Sequence, residues 1–203
     1  MTAAPNFHAE MRLVLRNRAL DAARTLVCTE GWDAVSMSRI AKDVGISRPV
    51  LYKEIGTKQE LAAALIQREV DEFLAGVIEG LAAHPDDPVA GLSAGTEFAL
   101  RFGEANPLLE AIFQRRRGGG EDSLLHGLVA DTDPVLARAI DALAAALREQ
   151  YGLASIDDET LLPVVEIIVR LTLSHIFQPL GPTDRAVAQV ATVVAGLVAA
   201  VAG

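Results

Sequence analysis

Residues 36–55 read SMSRIAKDVGISRPVLYKEI. Apolar side chains recur at helical spacing in two segments of this stretch, 37–44 and 48–55, and we predict a short helix over each. Gly45 lies between them and tolerates the positive φ that a tight turn requires. Ala41 supplies the small side chain that two steeply crossing helices need where their backbones touch. The stretch therefore predicts a helix-turn-helix.

The neighbouring side chains fit the same motif. Ser36 and Ser47 stand where a cap is expected, because a serine oxygen accepts a hydrogen bond from an amide that the helix start leaves unpaired. Pro49 falls in the first turn of the second helix, where proline is tolerated. The apolar side chains expected to hold the two helices against the preceding one are Ile40, Val44, Ile46 and Leu51.

The second helix of such a motif places its N-terminal residues in the major groove of DNA. Ser47 and Arg48 begin this helix, and Arg48 is the candidate for a bidentate contact with guanine. Pro49 and Val50 are candidates for contact with thymine methyl groups. The candidate phosphate contacts are Ser36, Arg39, Tyr52, Lys53 and Lys58.

A longer series of residues extends the motif in both directions. It comprises Gly31-Trp32, Ser36, Ile40-Ala41, Gly45-Ile46-Ser47, Leu51-Tyr52, Lys58 and Leu61. In this order the series resembles the tetracycline-repressor (TetR) family of transcriptional regulators. Three positions depart from the family pattern, since Ile55 replaces the usual Phe, Glu54 adds an acid, and Pro49 is unusual there. These departures bear on the operator sequence and not on the fold.

The helix signals along the chain predict an all-α fold of about nine helices, and the resemblance implies that it has two domains. An N-terminal helix-turn-helix domain over residues 1–56 would bind DNA, and a C-terminal helical bundle over residues 57–203 would bind an effector and dimerise. It implies a ligand-responsive repressor that binds a palindromic operator as a homodimer, because two recognition helices related by a dyad read two half-sites. A small hydrophobic or amphipathic effector would release it. Activation in place of repression is the alternative.

Helix-start signals divide the rest of the chain. Asp87-Pro88, Asn106-Pro107 and Asp133-Pro134 each pair a capping side chain with a proline, which has no N–H to leave unpaired. Residues 57–60 fit a capping box, and Gly181-Pro182-Thr183 separates the last two helices. The predicted helices cover residues 9–30, 37–44, 48–55, 58–81, 88–102, 107–115, 123–130, 134–150, 158–178 and 184–202.

Charge is divided unevenly along the chain. The net charge is −9, but residues 1–60 hold nine Lys and Arg against seven Asp and Glu and so carry +2. All three lysines of the chain, Lys42, Lys53 and Lys58, fall within this segment. Distant charges are screened over about 10 Å at ordinary salt. The excess of acidic residues after residue 60 is therefore compatible with phosphate binding by residues 1–60.

The last two predicted helices, 158–178 and 184–202, are apolar on more than one face, as is typical of helices buried on several sides. In the resembled family, these two helices pair with their symmetry mates as a four-helix bundle. A core within one protomer is the alternative. The predicted dimer contacts are Leu161, Val165, Ile168, Thr172, Val187, Val190, Val194 and Leu197.

An effector pocket is implied by the resemblance alone, and each of its candidate residues would also suit an ordinary core. They are Phe98, Phe102, Leu109, Phe113, Leu128, Leu173, His175 and Phe177. Glu166 and Arg170 are further polar candidates, but their spacing of four favours a structural ion pair. Residues 115–117 are three arginines, which would attract an anionic effector or form a solvated loop.

Other classes of protein have less support. The four histidines lack metal-ligand spacing and no nucleophile elbow is present, so we expect no enzyme activity, metal or cofactor. Cys28 is the one cysteine and cannot form an internal disulfide, which fits a reducing cytoplasm. We expect no membrane contact, and interpret the apolar run 186–202 as a buried helix, with a tail anchor as the alternative. A helical adaptor that binds only protein is the remaining rival.

Overall fold

The computed structural model describes residues 7–109 and 132–202 of the chain. Within these ranges the protein is all-α, as predicted, and contains no strand. The predicted helix over 123–130 and the candidates Phe113, Leu128 and 115–117 lie outside the described residues, as does most of the predicted helix 107–115. The described α-helices are α1 (Phe7–Glu30), α2 (Met37–Val44), α3 (Arg48–Glu54), α4 (Lys58–Ala82), α5 (Pro88–Ala105), α6 (Thr132–Tyr151), α7 (Asp158–Phe177) and α8 (Thr183–Ala202).

Capping explains where helices begin. Asp87 accepts a hydrogen bond from the amide of Ala90 at 2.9 Å, and Pro88 opens α5 as predicted. The start of α6 was predicted wrongly, because this helix begins at Thr132 and not at Pro134. A proline is accepted throughout the first turn, since its missing N–H falls among the amides that lack an intrahelical partner.

The described residues form two compact units. The first comprises residues 7–69 and 107–109, and its core gathers side chains from α1, α2, α3 and the first turns of α4. Ile55, which stands where the resembled family usually has Phe, is 7% exposed and belongs to this core. An aliphatic side chain therefore fills the aromatic position. The fully covered side chains of this core include Ile40, Leu51, Leu61 and Leu65.

The second unit comprises residues 70–106 and 132–202, so α4 contributes residues to both units. The predicted functional boundary between residues 56 and 57 stays a prediction. Within the second unit, Gly80 of α4 lies directly against Gly95 of α5. A Cβ at Gly80 would be 2.8 Å from the amide nitrogen of Gly95, so this close approach of two helices requires glycine.

The protomer buries most of the predicted dimer contacts in its own core. Six of them are at most 7% exposed: Leu161, Val165, Ile168, Thr172, Val190 and Val194. A side chain that its own protomer covers has little surface left for a partner, and the contact role predicted for these six stays a prediction. α7 packs against α5, α6 and α8 of the same chain, which accounts for the burial of its four residues in this set. Val187 and Leu197 are half-buried.

One described helix, α7, is long and apolar enough by composition to cross a membrane. Leu161, Val165 and Ile168 lie on it and belong to the core of the second unit. The apolar composition of α7 is thus accounted for, in part, by packing within the protomer.

Candidate nucleic-acid interface

The start of α2 is fixed by Ser36. Its hydroxyl accepts a hydrogen bond from the amide of Arg39 at 3.3 Å, as expected of an N-cap. One face of α2 is buried against the first unit's core, and Ser36 itself remains exposed. The buried residues of α2 are Met37, Ile40, Ala41 and Val44.

The turn between α2 and α3 has the predicted geometry. Gly45 adopts φ 79° and ψ 33°, in the left-handed region. Its amide donates to the carbonyls of Ala41 at 3.0 Å and Lys42 at 3.2 Å, and the amide of Ile46 donates to Ala41 at 2.9 Å. These bonds satisfy carbonyls that the end of a helix leaves free. Ala41 is 2% exposed, as expected for the small residue at the crossing.

The helix α3 packs against the first unit's core through one side only. Leu51 is fully buried, whereas Val50 is 39% and Tyr52 is 44% exposed. The base-reading and phosphate-binding candidates thus lie together on the outer surface of one helix. The exposed residues are Ser47, Arg48, Pro49, Val50, Tyr52 and Lys53.

Ser47 stands at the N-cap position of α3, but its side chain makes no capping hydrogen bond. The prediction of a side-chain cap was therefore wrong. Capping oxygens accept from the second or third amide of a helix. Pro49 occupies the second position and has no N–H, and Ser47 makes no bond to the third amide, that of Val50. The Ser47 hydroxyl is consequently not used by a cap and faces solvent with the rest of this surface.

Two of the candidate phosphate contacts already have protein partners. The ammonium of Lys58 donates to the carbonyl oxygen of Trp32 at 3.1 Å and lies 4.8 Å from the centroid of its ring. Arg39 forms a two-pronged ion pair with Glu30, at 2.7 and 2.5 Å. The hydrogen bonding from Arg39 lowers the pKa of the Glu30 carboxyl below its ordinary value. A phosphate would have to share or displace these partners.

Glu54 faces α1. Its carboxylate accepts a hydrogen bond from Nε of Arg12 at 2.7 Å, and only 10% of the Glu54 side chain is exposed. The acid is therefore paired and mostly covered. The sequence contains no local signal for this contact, because 42 residues separate the two partners.

The capping box at the start of α4 is confirmed. The amide of Thr57 donates to the Glu60 carboxylate at 2.7 Å, and the amide of Glu60 donates to the Thr57 hydroxyl at 3.2 Å. The bond from the Thr57 amide lowers the pKa of Glu60. The two reciprocal bonds satisfy two amides of the first turn and fix where α4 begins.

The effector candidates are only partly brought together. Phe102 contacts Phe98 at 5.7 Å between ring centroids, and Phe73 of α4 joins them at 5.6 Å from Phe102. Phe73 was missed by sequence reasoning, since nothing local marks an aromatic contact between two helices. Ile176 packs against Gly103, which brings the end of α7 beside the end of α5.

The remaining effector candidates are distributed differently. Leu173 and His175 are half-buried on α7, whereas Phe177 is 48% exposed. Leu109 belongs to the first unit. Glu166 and Arg170 form an exposed ion pair at 2.6 Å, in line with the structural alternative.

Two family models match the chain. One described as bacterial regulatory proteins, tetR family, matches residues 19–65. The other, described as the C-terminal domain of the bacterial tetracyclin repressor, matches residues 87–196. The first match contains the whole helix-turn-helix, and the second covers more than half of the chain.

Relatives agree with these models. The HTH-type transcriptional regulator AlkX of Mycobacterium tuberculosis is 30% identical over 168 residues, which are 83% of this chain and 77% of the relative. The activator FasR of Mycolicibacterium smegmatis is 38% identical over 72 residues, 36% of this chain and 33% of FasR. The crystal structure of the TetR family repressor AlkX from a Dietzia strain superposes with a TM-score of 0.70 at 28% identity, covering 90% of this chain and 94% of that one. The chain belongs to the TetR family of transcriptional regulators, and its helix-turn-helix is the DNA-binding element of that family.

Proposed function

We propose that the protein is a ligand-responsive repressor, which binds a palindromic operator as a homodimer and is released by a small hydrophobic or amphipathic effector. The observation that carries this proposal is the one-sided burial of α3. Leu51 is fully covered, while Arg48, Val50 and Lys53 face solvent. A helix held in this way has its opposite side free to enter the major groove.

Within this proposal, Arg48 reads a guanine edge, and Pro49 and Val50 touch thymine methyl groups. Tyr52 and Lys53 contact phosphates beside the recognition helix. The remaining contacts are made by Ser47 near the bases and by Ser36, Arg39 and Lys58 on phosphates.

Residues 57–203 would carry dimerisation and effector binding. The described surface of α7 and α8 offers apolar side chains for a partner, since Ile167 is 47% and Val193 is 37% exposed. Gly196 adds room for close approach, as nothing lies within 4 Å of the place a Cβ would take. The two helices therefore contribute their outward faces to the proposed dimer, while their inward faces hold the protomer together.

The effector would occupy the second unit near the cluster of Phe73, Phe98 and Phe102. Aromatic walls suit an apolar ligand with few polar anchors. The AlkX repressor from Dietzia is described as implicated in the biodegradation of n-alkanes, which supports an effector with an alkyl chain. We place the protein in the cytoplasm with its DNA.

The test is a gel-shift titration with the DNA upstream of the protein's own coding sequence and with a random-sequence duplex. We expect a shift that fades as salt is raised and that decreases when decanoate is added. No shift on any duplex would reject DNA binding and favour the protein-binding adaptor. An unchanged shift across bound alkyl effectors would reject release, because a ligand shifts an equilibrium only by binding one state more tightly.

Activation is the second candidate, since FasR is an activator by name. The matched part of FasR is a third of its length. Transcription in vitro from the bound promoter distinguishes the two, because a repressor lowers transcript yield and an activator raises it.

A further inference from the structure

The helix α1 begins before the segment that the family model matches. α1 begins at Phe7, whereas the family model begins at residue 19. Twelve residues at 3.6 per turn make about three helical turns before that segment. From Ala9 to Arg18, every residue except Leu15 is exposed. This part of α1 is therefore a surface helix whose side chains are not needed to fill the core.

Two arginines share one face of this surface helix. Arg12 and Arg16 are four residues apart, so their side chains lie one above the other. Both are exposed, and Arg16 has no partner among the described residues. Glu10 lies two positions from Arg12 and therefore does not share its face.

The ion pair with Glu54 locates this face relative to the recognition helix. Nε of Arg12 is 2.7 Å from the carboxylate of Glu54, the last residue of α3. The pair places Arg12 beside the end of α3, where the exposed Lys53 precedes Glu54 in the chain. Because 66% of the Arg12 side chain is exposed and a guanidinium has five donors, Arg12 can hold Glu54 and a second anion together.

The charge at this position favours an anionic partner. Arg12 neutralises Glu54. The cations that remain along the two helices are Arg16, one turn further on in α1, and Lys53, one residue before Glu54 in α3. Both are exposed. A guanidinium matches the geometry of a phosphate in a bidentate contact.

We propose that the Arg12–Arg16 face of α1 is a second phosphate-binding surface, which holds the backbone of the operator duplex beside the base pairs read by α3. This inference rests on the proposed DNA recognition by α3 and extends the contact surface beyond the family segment. Phosphate contacts position a protein on DNA without reading sequence. The surface therefore adds affinity and salt dependence, and leaves base preference unchanged.

The experiment compares the salt dependence of DNA binding among four proteins. Arg16→Gln removes one cation that has no described partner, so folding should not change. The double variant Arg12→Gln/Glu54→Gln removes the ion pair without leaving an unpaired acid. Arg101→Gln is the control, since Arg101 is an exposed arginine, paired in an i,i+4 ion pair with Glu97, on α5. The probes are a duplex selected from random sequence by the wild-type protein and a scrambled duplex of equal length.

We expect the slope of log K against log salt to fall by about 0.9 for the phosphate that Arg16→Gln no longer neutralises, on both duplexes. It should fall by less in the double variant, which removes a positive and a negative charge together. Arg101→Gln should keep the wild-type slope. Uncharged methylphosphonate linkages outside the bases read by α3 should remove the difference between wild type and Arg16→Gln.

The outcomes separate this inference from the proposed function. If the wild-type protein binds no duplex, DNA recognition itself fails. If the wild-type protein binds but both α1 variants keep the wild-type slope of log K against log salt, the Arg12–Arg16 face does not bind phosphates. The proposed recognition by α3 is then unaffected. Thermal unfolding of each variant shows whether weaker binding comes from a loss of fold.

Discussion

The ammonium of Lys58 lies 3.1 Å from the carbonyl oxygen of Trp32 and 4.8 Å from the centroid of its indole ring. Trp32 belongs to the short 3₁₀ turn before α2, and Lys58 is the first residue of α4. The pair therefore connects the start of α4 to the entry of the helix-turn-helix. Lys58 has this structural role in addition to the proposed phosphate contact.

Lys58→Met keeps a long side chain but removes the charge. We expect the free energy of unfolding to fall by about 1–3 kcal/mol, because the substitution removes a charged hydrogen bond and a cation–π interaction. Trp32 is the one tryptophan of the chain, so its fluorescence reports the change directly. Lys53→Met is the control, and should weaken DNA binding while stability and fluorescence stay as in wild type. A Lys58→Met protein as stable as wild type would contradict the structural role.

Gly56 is required at the start of α4 by its backbone and by its surroundings. It adopts φ +93°, and a Cβ there would collide with the Glu60 carboxylate. Gly45 also has positive φ, +79°, but nothing lies within 4 Å of its Cβ position. Gly45→Ala should lower the free energy of unfolding by about 1–3 kcal/mol through backbone strain alone. Gly56→Ala should lower it by about 1 kcal/mol more, because the cap at the start of α4 is disturbed as well. Urea unfolding measures both losses. A larger loss in Gly45→Ala than in Gly56→Ala would contradict a stabilising role of the capping box.

Much of the fold is predictable because local signals mark the helix ends. Ser36, Gly45 and Asp87 each act through backbone groups within a few residues, so sequence spacing alone locates them. Long-range pairs leave no such signal. The contacts of Glu54 with Arg12 and of Lys58 with Trp32 join residues far apart in the chain, and only the packed structure brings them together.

The same limit applies to the dimer surface. A helix that is apolar on several faces is expected to be buried, but the pattern does not say whether its own chain or a partner covers it. Val165 and Val194 are fully covered within the protomer, whereas Ile167 and Val193 remain outside. All four are β-branched aliphatic residues, so their chemistry alone does not separate the covered pair from the exposed pair.

Stability at acid pH should depend on Glu60. Hydrogen bonds from Thr57 lower the pKa of this carboxyl below its ordinary value of 4.5. A group with a lowered folded-state pKa stabilises the fold above its unfolded pKa, and the contribution disappears as pH falls through the folded value. The wild type should thus lose stability below pH 4.5.

Glu60→Gln isolates this effect, because glutamine keeps the capping bond but does not titrate. Its stability should fall less steeply than that of wild type over the same acid range. Urea midpoints between neutral and acid pH measure the two curves. Glu30 and Asp157 also have lowered pKa values and titrate in both proteins, so parallel curves would mean that Glu60 makes no contribution.

Exposed and buried positions of α7 should respond differently to substitution. Ile167→Arg places a charge on the outer face and should convert the proposed dimer to monomers without unfolding the protomer. Val165→Ala opens a cavity in a fully covered site and should cost about 2 kcal/mol of unfolding free energy while dimers persist. Sedimentation velocity and urea unfolding measure the two effects. A dimeric Ile167→Arg protein would exclude this face from the interface.

Selection of bound sequences from random duplex DNA, for the wild type and for Arg48→Ala, examines recognition by α3. The wild type should yield a palindromic sequence, and Arg48→Ala should lose preference at one base pair in each half-site, by about 1–3 kcal/mol. Lys53→Ala should bind every sequence more weakly and select the same bases. If Arg48→Ala selects the wild-type sequence with undiminished preference, α3 does not read DNA through its exposed N-terminal end.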